Sequence, residues 1–191
     1  PQGHLINKEA QCIDLLKTAS AAIRSKAPKT KIMIHYAGVK ASDTDWFFTK
    51  VKSVDYDYIG LSYYPVWHGK DLTVIKSTID ALGSKFSKKV VIAETAYPFT
   101  LGYNDWTNNI VGLDSQLVSG YPATPEGQKS YVLAIKNLVK TSQSGIGFAY
   151  WGGEWVSFKG KEATNGSTFE NQAFYDFDNK ALPVLQAFNL N

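Results

Sequence analysis

Glu94 is the residue whose type and position most clearly favour chemistry. It follows Val90-Val91-Ile92-Ala93, an apolar run without polar alternation, which predicts a strand buried on both faces, as in a parallel sheet covered by helices. A carboxylate at the carboxyl end of such a strand faces the crevice where α/β proteins bind ligands. The sequence therefore makes Glu94 a candidate catalytic group. The structural alternative is that it caps the next helix or pairs with a nearby cation.

Aromatic and histidine side chains follow the other predicted strands in the same way. The segment 56–64 predicts a strand that delivers further candidates to its carboxyl end, and the segments 31–38 and 145–151 predict strands that end near His35 and Trp151. The candidates after 56–64 are Tyr63, Tyr64, Trp67 and His68. With 5 Trp, 11 Tyr and 10 Phe, the chain is rich in aromatics, and those in loops suggest flat ligands such as sugar rings; core packing is the alternative.

Helical patterns alternate with these strands. Apolar residues recur at helical spacing between Cys12 and Ile23 behind Asn7 as a possible N-cap, and residues 43–51 predict a short helix. Two longer amphipathic helices surround the Glu94 strand: one spans 72–86, and the other begins at Thr124. Residues 182–188 predict a short closing helix. This alternation predicts a parallel α/β sheet with the long loops 99–123 and 152–178 on the same side as Glu94.

Composition excludes several classes of protein. A chain of 191 residues that is 44% hydrophobic and 19% charged suits one globular domain. The net charge of +3 comes without a Lys/Arg run, so no nucleic-acid footprint is present, and no apolar run is long enough for a membrane span. Phosphate-loop, CxxC, HExxH and nucleophile-elbow patterns are absent from the sequence. The single Cys12 leaves the redox compartment open. The chain begins at Pro1 without a signal peptide, and secretion also stays open.

Five motifs together resemble glycoside hydrolase family 53, the endo-β-1,4-galactanases, in both order and spacing. They are DYIGLSYYPVWHG at 57–69, ETAYP at 94–98, YPATPEGQ at 121–128, YW at 150–151, and FENQAFYDF at 169–177 followed by ALP at 181–183. The resemblance covers essentially the whole chain. It implies a (β/α)8 TIM barrel that cleaves internal bonds of β-1,4-galactan, the side chains of pectin, with retention. It also implies an extracellular, periplasmic or cell-surface location.

The resemblance assigns the nucleophile to Glu94, at the end of the seventh strand. The acid/base of this family is the Glu of an Asn-Glu pair that ends the fourth strand, and this sequence contains no Asn-Glu pair. The opening residues 1–4 resemble the loop just after that Glu. The whole chain, 1–191, is thus expected to be the carboxyl-terminal half of one catalytic domain, with strands five to eight. Its expected partners are the polysaccharide and the missing amino-terminal half, which would cover the inner faces of Ile32, Ile59 and Val91.

The resemblance also suggests roles for the remaining candidates. Trp151 is expected to form the floor under the sugar at the cleavage point, and the aromatic and histidine candidates after 56–64 are expected to line the same cleft, with His35 in a similar position. Glu154 lies on a Gly-rich loop after an adjacent strand. Because it has no evident burial to raise its pKa, we expect a sugar contact or a structural role for it, with general acid as the alternative.

No cofactor is expected from the sequence. Some members of the family hold calcium in the loop after strand seven with Asp, Asn and His ligands. The corresponding residues 102–109 lack a His and contain one Asp, so calcium there remains only an alternative.

Two other classes of function stay open at the level of sequence. A carbohydrate-binding module could use the aromatic loops without chemistry. An α/β protein of flavodoxin-like layout would also need only four strands, although no loop has the Gly, Ser and Thr density of a phosphate or flavin cradle. Release of reducing ends from galactan would separate the hydrolase from both.

Overall fold

Alternating helices and strands make up the protein, as predicted. The structure is a computed structural model that describes residues 8–189. In chain order its elements are α1 (Glu9–Lys26), β1 (Met33–Tyr36), α2 (Ala41–Lys50), β2 (Tyr58–Ser62), α3 (Pro65–His68), α4 (Leu72–Phe86), β3 (Lys89–Glu94), α5 (Pro125–Thr141) and β4 (Gly145–Phe148). Three 3₁₀ turns lie at Asp114–Gln116, Glu170–Gln172 and Pro183–Phe188. The proposed cap Asn7 and the opening residues 1–4 lie outside the described residues.

All four strands between residues 8 and 189 are parallel and stand in the order β1-β2-β3-β4. This order matches consecutive βα units, each crossing over a helix to the next strand. The carboxyl ends of the strands therefore meet at one edge, which carries the loops 99–123 and 152–178. The predicted positions of both long loops are confirmed.

Strand β3 is displaced in register against its neighbour at its carboxyl end. Ile59 pairs with Val90 and Leu61 pairs with Ile92, but Ser62 pairs with Glu94 after a shift between Leu61 and Ser62. Without the shift, regular pairing would set Ser62 beside Ala93. A bulge of this kind re-aims one side chain. It brings Glu94 beside Ser62 on the face of the sheet that the helices do not cover.

The helix-covered face of the sheet contains the main core. Apolar side chains of the strands pack there against α2, α4 and α5, and the buried members of this layer include Ile34, Phe48, Ile59, Leu61, Ile75, Ile79, Val90, Ile92, Val132 and Ile135. The predicted inner faces of α4 and α5 are thus confirmed. Asp71 caps α4 by accepting from the Thr73 and Val74 amides, and Thr124 caps α5 by accepting from the Gly127 amide. These caps fix where each helix leaves its loop.

The opposite face is only partly covered. Met33 is exposed and lies over Gly60, where an added Cβ would come 2.8 Å from the Met33 sulfur. Val91 and Ala93 are half-buried. The expectation that Ile59 belongs to this face is wrong, because Ile59 is fully buried against the helices; Ile32 is also partly packed into the core. Along a strand, alternate residues face opposite sides.

The ends of several elements differ from the sequence prediction. Strands β1, β2 and β4 are shorter than the segments predicted for them. Isolated backbone hydrogen bonds continue the pairing beyond β2 and β4, from the Tyr63 amide to the Glu94 carbonyl and from the Trp151 amide to the Thr95 carbonyl. Pro65 directly follows the predicted strand 56–64 and begins the short helix α3, where its missing amide is harmless. The closing segment is a 3₁₀ helix. No helix in the range 8–189 is long and apolar enough to cross a membrane.

Candidate active site

The Glu94 carboxylate lies at the carboxyl edge of the sheet with one oxygen held and the other free to react. Its side chain is 24% exposed. The Tyr64 hydroxyl donates to Oε2 at 2.9 Å, whereas Oε1 has His35 Nε2 at 3.9 Å, beyond hydrogen-bond distance. Oε1 is therefore the oxygen that can reach a ligand.

Tyr64 is a rigid, protonated hydrogen-bond donor. Its ring is buried, with edge contacts to Trp67 and Phe169. Burial, followed by the hydrogen bond to Glu94, raises the pKa of Tyr64 well above its ordinary value. The hydroxyl therefore keeps its proton at neutral pH and donates to Glu94.

His68 supports Tyr64 from the backbone side. Its Nδ1 accepts from the Tyr64 amide at 2.9 Å, so the proton of the neutral ring must be on Nε2. Burial lowers the pKa of His68, and the opposing effect of the Glu94 charge is smaller. A neutral His68 thus fixes the start of α3.

His35 and Ser62 form a second polar pair beside Glu94. His35 Nε2 lies 2.8 Å from Ser62 Oγ, and Ser62 is the register partner of Glu94. Both side chains project from the same face as Glu94. Their hydroxyl and imidazole groups could bind the hydroxyls of a ligand at this edge.

Exposed tryptophans flank the carboxylate. Trp67 and Trp151 are 55% and 39% exposed, and the Trp151 amide is bonded to the Thr95 carbonyl at 2.9 Å, one residue beyond Glu94. Trp155, also exposed, meets Trp151 edge to face at 5.4 Å. Flat apolar faces next to polar groups are the pattern of a carbohydrate site.

A buried network holds the segment that follows Glu94. The Tyr150 hydroxyl accepts from the Tyr97 amide and lies 2.7 Å from the Gln172 carbonyl. The Gln128 amide group donates to the Tyr97 and Ala173 carbonyls. This network ties the loop after β3 to the loop after β4 through α5. A rigid scaffold of this kind keeps a reactive group in one geometry.

Tyr63 corrects one prediction about the cleft. Its ring is fully buried, and its hydroxyl donates to the Gly69 carbonyl at 3.0 Å. Adjacent residues at a strand end face opposite sides. Tyr64 consequently faces Glu94, while Tyr63 packs into the core, so the prediction that Tyr63 lines the cleft is wrong.

Glu154 is exposed. It lines a groove together with Trp155, Phe158 and residues 166–168. Among the described residues its side chain has no hydrogen-bond or ionic partner. This exposure agrees with the expectation that it lacks the burial of a general acid. A sugar contact or a structural role remains the prediction for it.

The loop proposed for calcium is organised around hydrogen bonds. Asp105, its acidic residue, is buried; Oδ1 accepts from the Thr107 amide at 2.7 Å and Oδ2 accepts from the Ser157 hydroxyl at 2.9 Å. In the described part of the chain, no three His, Cys, Asp or Glu side chains cluster as metal ligands would. Residues 102–109 offer one carboxylate, so they do not present the several charged oxygens that calcium sites use.

Trp155, Phe169 and the Tyr150–Gln128 pair were not singled out by the sequence. Trp155 could have been found, because an aromatic two residues after Gly152-Gly153 is expected to lie on an exposed loop. The pairing of Gln128 with Tyr150 carries no local signal, since it joins residues 22 positions apart.

Comparison with known proteins identifies a family that this chain matches. The model of Glycosyl hydrolase family 53 matches residues 2–188. An arabinogalactan endo-β-1,4-galactanase of Cellvibrio japonicus is 36% identical over 184 residues, which cover 91% of this chain and 48% of the relative. The chain spans about half the length of the curated relatives it matches.

Solved structures of the same family share the fold of this chain. The GH53 catalytic domain of Ignisphaera aggregans has a TM-score of 0.88 with this chain at 34% identity, covering 100% of this chain and 54% of that domain. A structure from a study of two fungal β-1,4-galactanases has a TM-score of 0.75 at 28% identity, covering 95% and 55%. The four parallel strands described between residues 8 and 189 are thus part of a (β/α)8 barrel. The chain belongs to glycosyl hydrolase family 53.

Proposed function

We propose that this chain supplies the nucleophile of a retaining endo-β-1,4-galactanase. The observation that carries the proposal is the Glu94 carboxylate, held by Tyr64 at the carboxyl end of a buried strand and flanked by exposed Trp151 and Trp67. The names of the relatives supply the reaction class and the polymer.

Glu94 would act through Oε1. In a retaining glycosidase two carboxyl groups stand about 5 to 5.5 Å apart, and one of them attacks the anomeric carbon while the other protonates the leaving oxygen. Oε2 is held by the Tyr64 hydroxyl, so Oε1 forms the bond to the sugar. Water then cleaves the glycosyl ester, and the anomeric configuration is retained.

The acid/base group must come from outside the described sheet. The 191 residues contain no Asn-Glu pair, and Glu154 is exposed rather than buried as a general acid is. We therefore infer that residues 1–191 are the carboxyl-terminal half of one catalytic domain, and that a complementary half supplies the acid/base. Two observations support this: β1 and β4 are edge strands, and Met33 is exposed on the uncovered face.

The substrate would be β-1,4-galactan in the side chains of pectin. Trp151 supplies a floor for the ring at the cleavage point, and Trp67 supplies a second apolar face beyond Tyr64. Ser62, His35 and His68 are the polar groups that could bind sugar hydroxyls, with Glu154 farther along the rim. The family resemblance supports an extracellular, periplasmic or cell-surface location for the enzyme.

The test of the proposed function is a comparison of polymers. The product of the complete gene is expected to release reducing ends from β-1,4-galactan and to be at least about a hundredfold slower on carboxymethyl cellulose, because the axial linkage at C4 gives galactan a different curvature from cellulose and so places its sugar hydroxyls against different polar groups of the site. Equal rates on both would contradict the galactanase assignment. Galactan binding without release of reducing ends would favour a non-catalytic carbohydrate-binding protein.

Removing the Tyr64 hydroxyl is expected to slow galactan hydrolysis. Tyr64→Phe deletes a bond to a charged oxygen, worth about 1.5 to 3 kcal/mol, which corresponds to about a 10- to 150-fold lower kcat. Tyr63→Phe is the matched control: it deletes the hydroxyl that donates to Gly69, away from Glu94, so it should affect thermal stability with kcat nearly unchanged. An unaltered kcat for Tyr64→Phe would remove this bond from the mechanism.

A further inference from the structure

The loop after β4 is fastened to the loop after β3 at one buried carboxylate. Asp105 Oδ2 accepts from Ser157 Oγ, and Oδ1 accepts from the Thr107 amide. Thr107 Oγ1 in turn accepts from the Gly166 amide at 2.7 Å and donates to the Ala163 carbonyl at 3.1 Å. We call Asp105, Thr107, Ser157 and Gly166 the Asp105 clamp. It joins segments that are more than 50 residues apart in the chain.

The geometry of Gly166 shows how closely the clamp is packed. A Cβ added at Gly166 would lie 2.3 Å from Asp105 Oδ2 and 3.1 Å from Thr107 Oγ1. Any side chain at position 166 would therefore displace the carboxylate. Burial opposes ionisation of Asp105, but the hydrogen bonds from Thr107 and Ser157 lower its pKa below the ordinary value. The clamp thus contains a carboxylate at neutral pH.

The clamp fixes both ends of an aromatic segment of the rim. Phe158 lies between Ser157 and Gly166 in the sequence, and Trp155 lies two residues before Ser157. The Trp155 carbonyl also accepts from Ser167 Oγ at 2.8 Å, so Gly166 and Ser167 act on the same turn. Trp155 and Phe158 expose their rings in the groove beside Glu154. The Asp105 clamp is therefore one of the contacts that set their position relative to Trp151.

We propose that Asp105 is a positioning residue that holds the aromatic surface of Trp155 and Phe158 for the distal part of a sugar chain, and that it does so without a metal ion. The role in sugar binding rests on the proposed function. The anchoring role is independent of that function, because it follows from the hydrogen bonds that the Asp105 carboxylate accepts. Asp105 is the one carboxylate of residues 102–109, and each of its oxygens already accepts a hydrogen bond from within the clamp.

Loop opening can be measured independently of activity. Lys159 and Lys161 are exposed trypsin sites within the clamped segment. In the product of the complete gene, Asp105→Asn is expected to raise the rate of trypsin cleavage at these two sites by about tenfold or more, since cleavage follows local opening. Asp114→Asn, an exposed acid in the same loop, is the matched control and should leave the rate unchanged. Equal cleavage rates for Asp105→Asn and the unaltered protein would overturn the anchoring role, whatever the substrate proves to be.

Substrate length separates positioning from general destabilisation. Asp105→Asn is expected to raise KM for long galacto-oligosaccharides by about tenfold with kcat retained, and to leave kcat/KM for a short aryl galactobioside within about twofold. A parallel loss on both substrates would show a merely structural role and overturn the proposal. Absence of galactan activity in the unaltered protein would instead reject the proposed function and leave the trypsin result to decide the anchoring.

Chelation tests whether the Asp105 clamp holds the loops without a metal ion. The melting temperature is expected to be the same in EDTA and in millimolar calcium chloride. Asn109 Oδ1 is buried and has no hydrogen-bond partner among residues 8–189. A calcium-dependent rise of several degrees that is lost in Asn109→Ala would identify this oxygen as a ligand and overturn the metal-free clamp.

Discussion

Glu94→Gln is expected to lower galactan hydrolysis by about a thousandfold or more while galactan binding is retained. A carboxamide has nearly the shape of the carboxylate but cannot form the glycosyl ester, so the loss falls on kcat. The Tyr64 hydroxyl can still donate to the amide oxygen, and the fold of β3 does not depend on the charge. The measurement is kcat and KM on β-1,4-galactan in the product of the complete gene, with binding followed by retardation in a galactan gel.

The matched control for this substitution is Glu126→Gln, an exposed carboxylate in the first turn of α5. It removes the same charge from the same protein at an exposed helix position that has no place in the proposed mechanism, and it should leave kcat unchanged. If Glu94→Gln kept kcat within about tenfold of the unaltered enzyme, Glu94 could not be the nucleophile.

The second large expected effect is the loss of galactan hydrolysis in the 191-residue chain by itself. This chain is expected to release no measurable reducing ends from galactan, because a single carboxylate cannot both attack the sugar and protonate the leaving oxygen. Addition of the complementary barrel half is expected to restore activity. Edge strands β1 and β4 and the exposed Met33 face would then be covered by four further strands.

Complementation is measured by mixing the chain with the complementary half and determining the molecular mass of the product by light scattering. The isolated chain is expected to self-associate or aggregate in light scattering, since its edges present unpaired backbone groups, and to form a one-to-one complex with the complementary half. A second copy of this chain would bring another Glu94 but no acid/base. A soluble, fully active monomer of residues 1–191 would show that the half-barrel proposal is mistaken.

The sequence predicts well whatever depends on local periodicity. The apolar spacing of α4, the Thr124 cap of α5 and the unbroken run before Glu94 each specify one element, and each is present. The position of Glu94 at the loop-bearing edge follows from the same run, because parallel strands end together.

The fine structure of the site depends on contacts that the sequence does not display. The register shift that sets Glu94 beside Ser62 arises between two strands, and it decides which face carries the carboxylate. Whether Tyr63 or Tyr64 reaches Glu94 depends on where the alternation of β2 ends, and a shift of one residue exchanges them. The Asp105 clamp joins positions 52 residues apart. Such pairings follow from tertiary packing, which overrides local pattern.

The most direct test of the central claim is covalent trapping of the nucleophile. An activated 2-deoxy-2-fluoro-β-galactobioside forms the glycosyl ester with a retaining enzyme and slows its hydrolysis, so the labelled carboxylate can be located by tandem mass spectrometry of tryptic peptides. We predict that one fluorogalactobiosyl group is attached to Glu94 in the product of the complete gene, and that Glu94→Gln is not labelled. Labelling of Glu154 instead, or no covalent adduct in an enzyme that hydrolyses galactan, would contradict the account.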